Sequence, residues 1–255
     1  MTGTALALSP HLDDAAFSAG GTLARLAAAG WRVVMATVFT GSVPDPRGFA
    51  LACQLDKGLP AEIDYMALRR AEDAAAADAL GIAPPVHLPF REAPHRGYGS
   101  APALFADVLR TDAIVPALSA AFAGLIAEAA PDLILAPQAV GGHVDHVQVV
   151  RALRALGPAA PILWWRDFPY TVRSADPREP LRDLFADRPT HAVRFDADAA
   201  ARKAAACAAY ATQIGFQFGG VDGLARRLAA EEATERFRVE GRLPAGVSAA
   251  DAGRA

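Results

Sequence analysis

The first forty residues constrain the fold more than any other part of the chain. Thr4 to Leu8 is an apolar run of strand length, and Ala15 to Ala29 carries apolar residues at helical spacing until Gly30 stops it. Trp31 to Phe39 is then a nearly continuous, β-branched apolar run of the kind found in a strand covered on both faces. Strand, helix and strand in that order make a βαβ unit.

The alternation persists downstream. Helical patterning covers Ala61 to Leu80 with Gly81 as its stop, Asp112 to Ala130, about Val147 to Leu156, and an alanine-rich stretch ending near Tyr210. Strands are expected at Val86 to Phe90, Asp132 to Pro137, Ile162 to Trp165 and Ala192 to Phe195, while Thr40 to Pro60 reads as a loop punctuated by Gly and Pro. This order predicts an α/β fold: a three-layer sandwich whose central sheet is mostly parallel, with helices on both faces. At 255 residues the chain suits one large domain over 1–240, followed by a flexible tail over 241–255.

Composition removes several function classes. Hydrophobic residues make up 53% of the chain, but much of that is alanine, which favours helix and buries little area. The net charge of −3, with no Lys/Arg run longer than two, argues against a nucleic-acid partner. Cys53 and Cys207 stand far apart without companions, so neither a disulfide framework nor a thiolate zinc site is expected. The apolar stretch at Leu6 to Leu8 is too short for a signal sequence and no run approaches a membrane span, so a cytoplasmic location is the expectation.

Two clusters carry the chemistry. Ser9-Pro10-His11-Leu12-Asp13-Asp14 follows the first expected strand, and Gly141-Gly142-His143-Val144-Asp145-His146 follows the one around Leu133 to Ala136. Loops leaving the carboxyl ends of parallel strands line the ligand crevice of an open sheet. Three of the six histidines and three aspartates therefore converge on one edge, with ligand types suited to a borderline divalent cation. Either cluster alone is explained by helix capping and the helix dipole; both together at two strand ends are not.

These motifs resemble the PIG-L/LmbE-like N-acetylglucosaminyl deacetylase family, whose members carry Pro-His-x-Asp-Asp near the N-terminus and His-x-Asp-His in the middle. The similarity extends through Gly20 to Ala24, through Arg69-Arg70-Ala71-Glu72 with Ala76, Leu80 and Gly81, and through Lys203, Tyr210 and Gln213. The resemblance implies a Rossmann-like fold and zinc-dependent removal of an N-acetyl group from a sugar or glycoconjugate, with Fe²⁺ as the alternative metal. It further implies His11, Asp14 and His146 as metal ligands and Asp13 as general base. His143 would stabilise or protonate the tetrahedral species, and Asp145 would orient a neighbouring histidine.

Two positions depart from the family pattern. Many relatives have Glu after the Asp pair where this chain has Ala15, and some have Tyr two residues before the second motif where Gly141 stands. If a phenol normally helps the oxyanion, another donor must replace it or the rate is lower. Arg69 and Glu72 read as an ion pair on one helix face.

For substrate contacts, Asp167 and Tyr170 resemble a family segment near the pocket, and Arg91 and His95 lie in a strand-exit loop. Trp164 and Trp165 read either as sugar-stacking faces or as core residues sent to opposite sides of a strand. A non-hydrolytic dinucleotide- or sugar-nucleotide-binding domain is the alternative function, prompted by Gly20-Gly21, although these glycines fall inside the helix rather than before it. A phosphoester hydrolase would need more carboxylates than are present. The sequence leaves the oligomeric state open.

Overall fold

The computed structural model describes residues 2–247. Its elements run β1 (Thr4–Ser9), α1 (Asp14–Ala28), β2 (Arg32–Thr37), α2 (Gly48–Leu55), α3 (Tyr65–Leu80), β3 (Val86–His87), a 3₁₀ turn (Ala93–His95), α4 (Ala101–Leu104), α5 (Val115–Ala129) and β4 (Leu133–Pro137). They continue with α6 (Val144–Leu156), β5 (Ile162–Trp165), α7 (Tyr170–Arg173), α8 (Arg182–Phe185), β6 (Thr190–Arg194), α9 (Ala197–Ala209), α10 (Ala211–Phe218), α11 (Val221–Ala230) and β7 (Thr234–Glu240).

The described residues form one seven-stranded sheet in the order β3-β2-β1-β4-β5-β7-β6. Pairings from β3 to β5 are parallel, and β7 runs antiparallel to both β5 and β6. The chain builds outward from β1 to β3, then returns to place β4 on the other side of β1. Strand order therefore reverses between β1 and β4, and the crevice at such a switch point is where open α/β sheets bind ligands. Both motifs leave strands that flank it.

Side-chain alternation divides the core. Ala5, Ala7, Val33, Met35, Leu135 and Trp165 face one way, under α1, α3 and α9. Leu6, Leu8, Ile134, Ala136 and Trp164 face the other, under α5 and α6. Trp164 and Trp165 are both fully buried, one in each layer, so neither stacks on a ligand.

Helix α1 is clamped at its middle. Glu235 on β7 accepts from the backbone N–H groups of Gly21 (2.9 Å) and Thr22 (2.8 Å), from Thr22 Oγ1 (2.6 Å) and from Lys203 Nζ of α9 (2.7 Å). A Cβ on Gly21 would lie 2.4 Å from the Phe195 ring, so the glycine serves close packing. The same residues that suggested a nucleotide-binding turn thus fix the helix whose first turn carries Asp14.

Several expectations change, among them these. Residues Gly48–Leu55, within the expected loop, form α2. The strand β7 had a visible Phe-Arg-Val-Glu alternation, yet lay in a stretch given no element. At the start of the expected 241–255 tail, Leu243 packs against the core and Val247 is buried in it; 248–255 lie outside the described residues. Among the described residues, no helix is long and apolar enough to cross a membrane.

Candidate active site

The first motif is folded by its own short-range hydrogen bonds. Ser9 Oγ donates to the His11 carbonyl (2.7 Å) and accepts from the Ala15 N–H (3.0 Å), closing the turn between β1 and α1. Val38 and Phe39, just past β2, donate through their N–H groups to Ser9 and Pro10 carbonyls, each at 2.9 Å, and hold the loop from the neighbouring strand. Asp14 begins α1, where the positive end of the helix dipole favours a carboxylate.

The second motif begins where the turn after β4 ends. Gly141 and Gly142 have φ of +92° and +78°, a region L side chains rarely adopt. Helix α6 starts at Val144 rather than after the motif, so Asp145 and His146 occupy its first turn, with His143 as N-cap. The His143 Nδ1 accepts from the Asp145 N–H at 3.2 Å, which leaves its proton on Nε2.

Three donor atoms meet at the crevice. His11 Nδ1 lies 3.2 Å from Asp14 Oδ2, His146 Nε2 lies 3.1 Å from the same oxygen, and the two imidazole nitrogens are 3.3 Å apart. Three ligands at ~2.0–2.1 Å from a tetrahedral ion stand about 3.3–3.4 Å from one another, so this triangle has the size a small divalent cation requires.

The far sides of both imidazoles agree. His11 Nε2 bonds Asp145 Oδ2 at 2.9 Å, and His146 Nδ1 bonds Asp167 Oδ1 at 2.7 Å. A carboxylate behind each ring fixes its orientation and turns the remaining nitrogen toward the shared point. The ligand atoms of His11, His143 and His146 also lie within 4.8 Å of one another. His143 Nδ1 is engaged by the Asp145 N–H, and the Asp14-containing triangle is the tighter one.

The supporting carboxylates are anchored in turn. Asp145 accepts from the Ala93 N–H (3.0 Å), and Arg96 Nη2 sits 2.7 Å from its other oxygen as an ion pair that lacks good hydrogen-bond alignment. Asp167 accepts from the Val140 N–H at 2.9 Å. Burial opposes ionisation of Asp145, but the hydrogen bond to His11 and the charge of Arg96 outweigh it and hold its pKa well below the usual carboxylate range.

Asp13 is held differently. Gln217 Nε2 on α10 donates to its Oδ2 at 2.9 Å, and Arg69 Nη2 stands 4.0 Å from Oδ1. Burial, followed by the adjacent Asp14 charge, pushes its pKa up to about 7. Burial, followed by the neighbouring His11, pushes the His143 pKa well below its ordinary value, which favours the neutral ring.

A cavity of about 280 Å³ opens over this cluster, lined by His11, Asp13, Asp14, His143, Asp145 and Tyr170. Tyr170 stands edge-on to the His146 ring at 5.8 Å between centroids. Its ring fills the room that a side chain at Gly141 would need, since a Cβ there would lie 2.5 Å from Tyr170 Cγ.

Other expected substrate contacts fall elsewhere. Asp167 is buried behind His146 and does not reach the cavity. His95 lines an adjoining recess that shares Glu92 and Pro94 with the cavity, and Arg91 is exposed outside both. Arg69 and Glu72 do not pair: Arg69 binds Glu92, while Glu72 accepts from the Thr212 N–H (2.8 Å) and hydroxyl (2.7 Å). Arg69 and Gln217 are site residues that the motifs do not mark.

Residues 6–156 match the family model described as PIG-L: GlcNAc-PI de-N-acetylase. The chain is 36% identical over 170 residues to 2'-N-acetylparomamine deacetylase of Streptomyces fradiae, a match covering 66% of this chain and 58% of that protein. The crystal structure of the antimicrobial reagent A40926 pseudoaglycone deacetylase Dbv21 has a TM-score of 0.74 at 30% identity, covering 98% of this chain and 99% of that one. The zinc-inhibited form of teicoplanin deacetylase Orf2 gives a TM-score of 0.75 at 25% identity, over 92% and 97%.

Proposed function

We propose, from the premise that this chain belongs to the PIG-L family, that it is a metal-dependent hydrolase removing an N-acetyl group from an N-acetylglucosamine-type sugar. The observation that carries this reading is the triangle of His11 Nδ1, Asp14 Oδ2 and His146 Nε2, 3.1–3.3 Å on a side, with a carboxylate behind each imidazole. Two nitrogens and one oxygen suit Zn²⁺, with Fe²⁺ as the alternative. The deacetylase names of the relatives support the reaction class.

Amide hydrolysis has two obstacles: water is a poor nucleophile, and the leaving amine needs a proton. A divalent cation held by the triangle supplies Lewis acidity, which polarises the carbonyl and lowers the pKa of water toward about 7. Asp13, adjacent to Asp14, would take the proton from the attacking water and hand it to the leaving amine nitrogen as the C–N bond breaks; Gln217 occupies one of its oxygens and leaves the other for this task. His143 Nε2–H donates to the developing oxyanion.

Tyr170 supplies a second donor. Burial and the nearby Asp14 raise its pKa well above the ordinary value, so the phenol keeps its proton at neutral pH. It takes the place left by Gly141, where some relatives carry the phenol themselves. The dinucleotide reading loses its anion site, because Asp13 and Asp14 occupy the α1 N-terminus where a pyrophosphate would sit.

The test is acetate release from N-acetylglucosamine by the protein loaded with Zn²⁺ or Fe²⁺. Activity should vanish on chelation and return with metal. Asp13→Ala should retain its metal and lose turnover by roughly 10²–10⁴-fold; full turnover in that variant removes Asp13 from the mechanism.

A further inference from the structure

We propose that the sugar substrate carries an apolar aromatic aglycone, neutral or anionic rather than polycationic, and that Phe216 and Lys57 form the subsite holding it. This rests on the deacetylase reading and narrows its substrate class.

The cavity over the metal-ligand triangle, about 280 Å³, lies just under the ~300–1,000 Å³ of ordinary small-molecule pockets. It has room for a sugar and its acyl group, so a larger attachment must emerge at the rim. The rim is where aromatic surface is left uncovered. Phe216 lines the mouth yet is 65% exposed, and Phe49 and Phe105 line it half-buried. Uncovered apolar surface that continues into a pocket marks the place where a ligand lies. Phe105 stands edge-on to His143 at 5.3 Å and to Tyr170 at 5.8 Å, so aromatic surface continues from the rim to the reacting centre.

Charge at the mouth narrows the class further. Lys57 Nζ lies 5.0 Å from the Phe216 ring centre, donates to the Cys53 carbonyl at 2.7 Å, and pairs with no carboxylate among the described residues. Arg173 donates to Gln217 (3.1 Å to Oε1) and is likewise without a carboxylate partner. Glu92 is engaged by Arg69, and exposed Asp56 is the acidic side chain at the mouth that offsets one of the two cations. Lys57 and Arg173 against Asp56 make the mouth less favourable to a cationic aglycone than to a neutral or anionic one, the carboxylates of Asp13, Asp14 and Asp145 lying with the metal-ligand cluster. A flat π-face, or one bearing a carboxylate, is attracted by the ammonium on Phe216.

The experiment measures kcat/KM for acetate release by the metal-loaded chain from free N-acetylglucosamine and from its phenyl, 4-carboxyphenyl and 4-(aminomethyl)phenyl glycosides. Titration calorimetry of the phenyl glycoside runs alongside. The phenyl glycoside should exceed the free sugar at least about tenfold, and in Phe216→Ala that ratio should fall by about tenfold. The carboxyphenyl glycoside should exceed the aminomethyl one, with the preference lost in Lys57→Ala. Equal handling of free sugar and phenyl glycoside, a ratio unchanged in Phe216→Ala, or preference for the cationic aglycone would overturn the assignment. Release from none of the four sinks the deacetylase reading instead. Calorimetry then decides the subsite alone: binding of the phenyl glycoside that Phe216→Ala abolishes supports it, and no binding overturns it.

Discussion

Asp167 shows how one side chain acts through another. It touches no part of the cavity, yet its 2.7 Å bond to His146 Nδ1 holds the ring so that Nε2 faces Asp14. Asp167→Ala should therefore weaken metal binding by roughly 10–100-fold in a metal titration, although no ligand is removed; unchanged affinity would show that α6 alone orients the ring. Tyr170→Phe deletes one hydroxyl and keeps the ring against Gly141. Its kcat should drop on the order of 10²-fold with metal content intact, and wild-type kcat would remove Tyr170 as a donor and leave that role to His143.

The elements that place these residues were legible to different degrees. β1, α1, β4 and α6 each carry a local period, and the two motifs sit where such elements join, so fold class and ligand cluster could be read from the chain. Gln217 reaches Asp13 across 204 positions and Arg69 reaches Glu92 across 23, contacts that tertiary packing creates and no local pattern announces. Asp167 resembles a family segment near the pocket, and nothing in its neighbours tells which face of the loop turns inward. α2 was hidden by Gly48 at its start and the many turn residues around it.

The clamp on α1 carries its own prediction at this scale. Lys203 and Glu235 are both buried, with side chains 6% and 3% exposed. Lys203→Met strips the cation from a carboxylate that still holds two mid-helix N–H groups, and should cost about 3–5 kcal/mol in urea unfolding. A cost below about 1 kcal/mol would mean that the Gly21 and Thr22 donors satisfy Glu235 unaided.

Across the whole molecule, the chain gathers Asp13, Asp14, Asp145 and Asp167 with three histidines around one buried point at the reversal of strand order. Arg96 and Arg69 offset part of that charge from behind. A cation at the centre would offset more, and one that bound only the folded chain would stabilise it: at 100 times its Kd by about 2.7 kcal/mol. The proposed chemistry would draw on the same triangle of donors.

The most direct test is metal content per chain, measured by mass spectrometry on wild type and His146→Ala purified in parallel and dialysed against trace Zn²⁺. The account predicts one tightly held divalent ion in the wild type and its loss in a variant that still folds. A wild type that binds none, or a variant that keeps its ion, contradicts it.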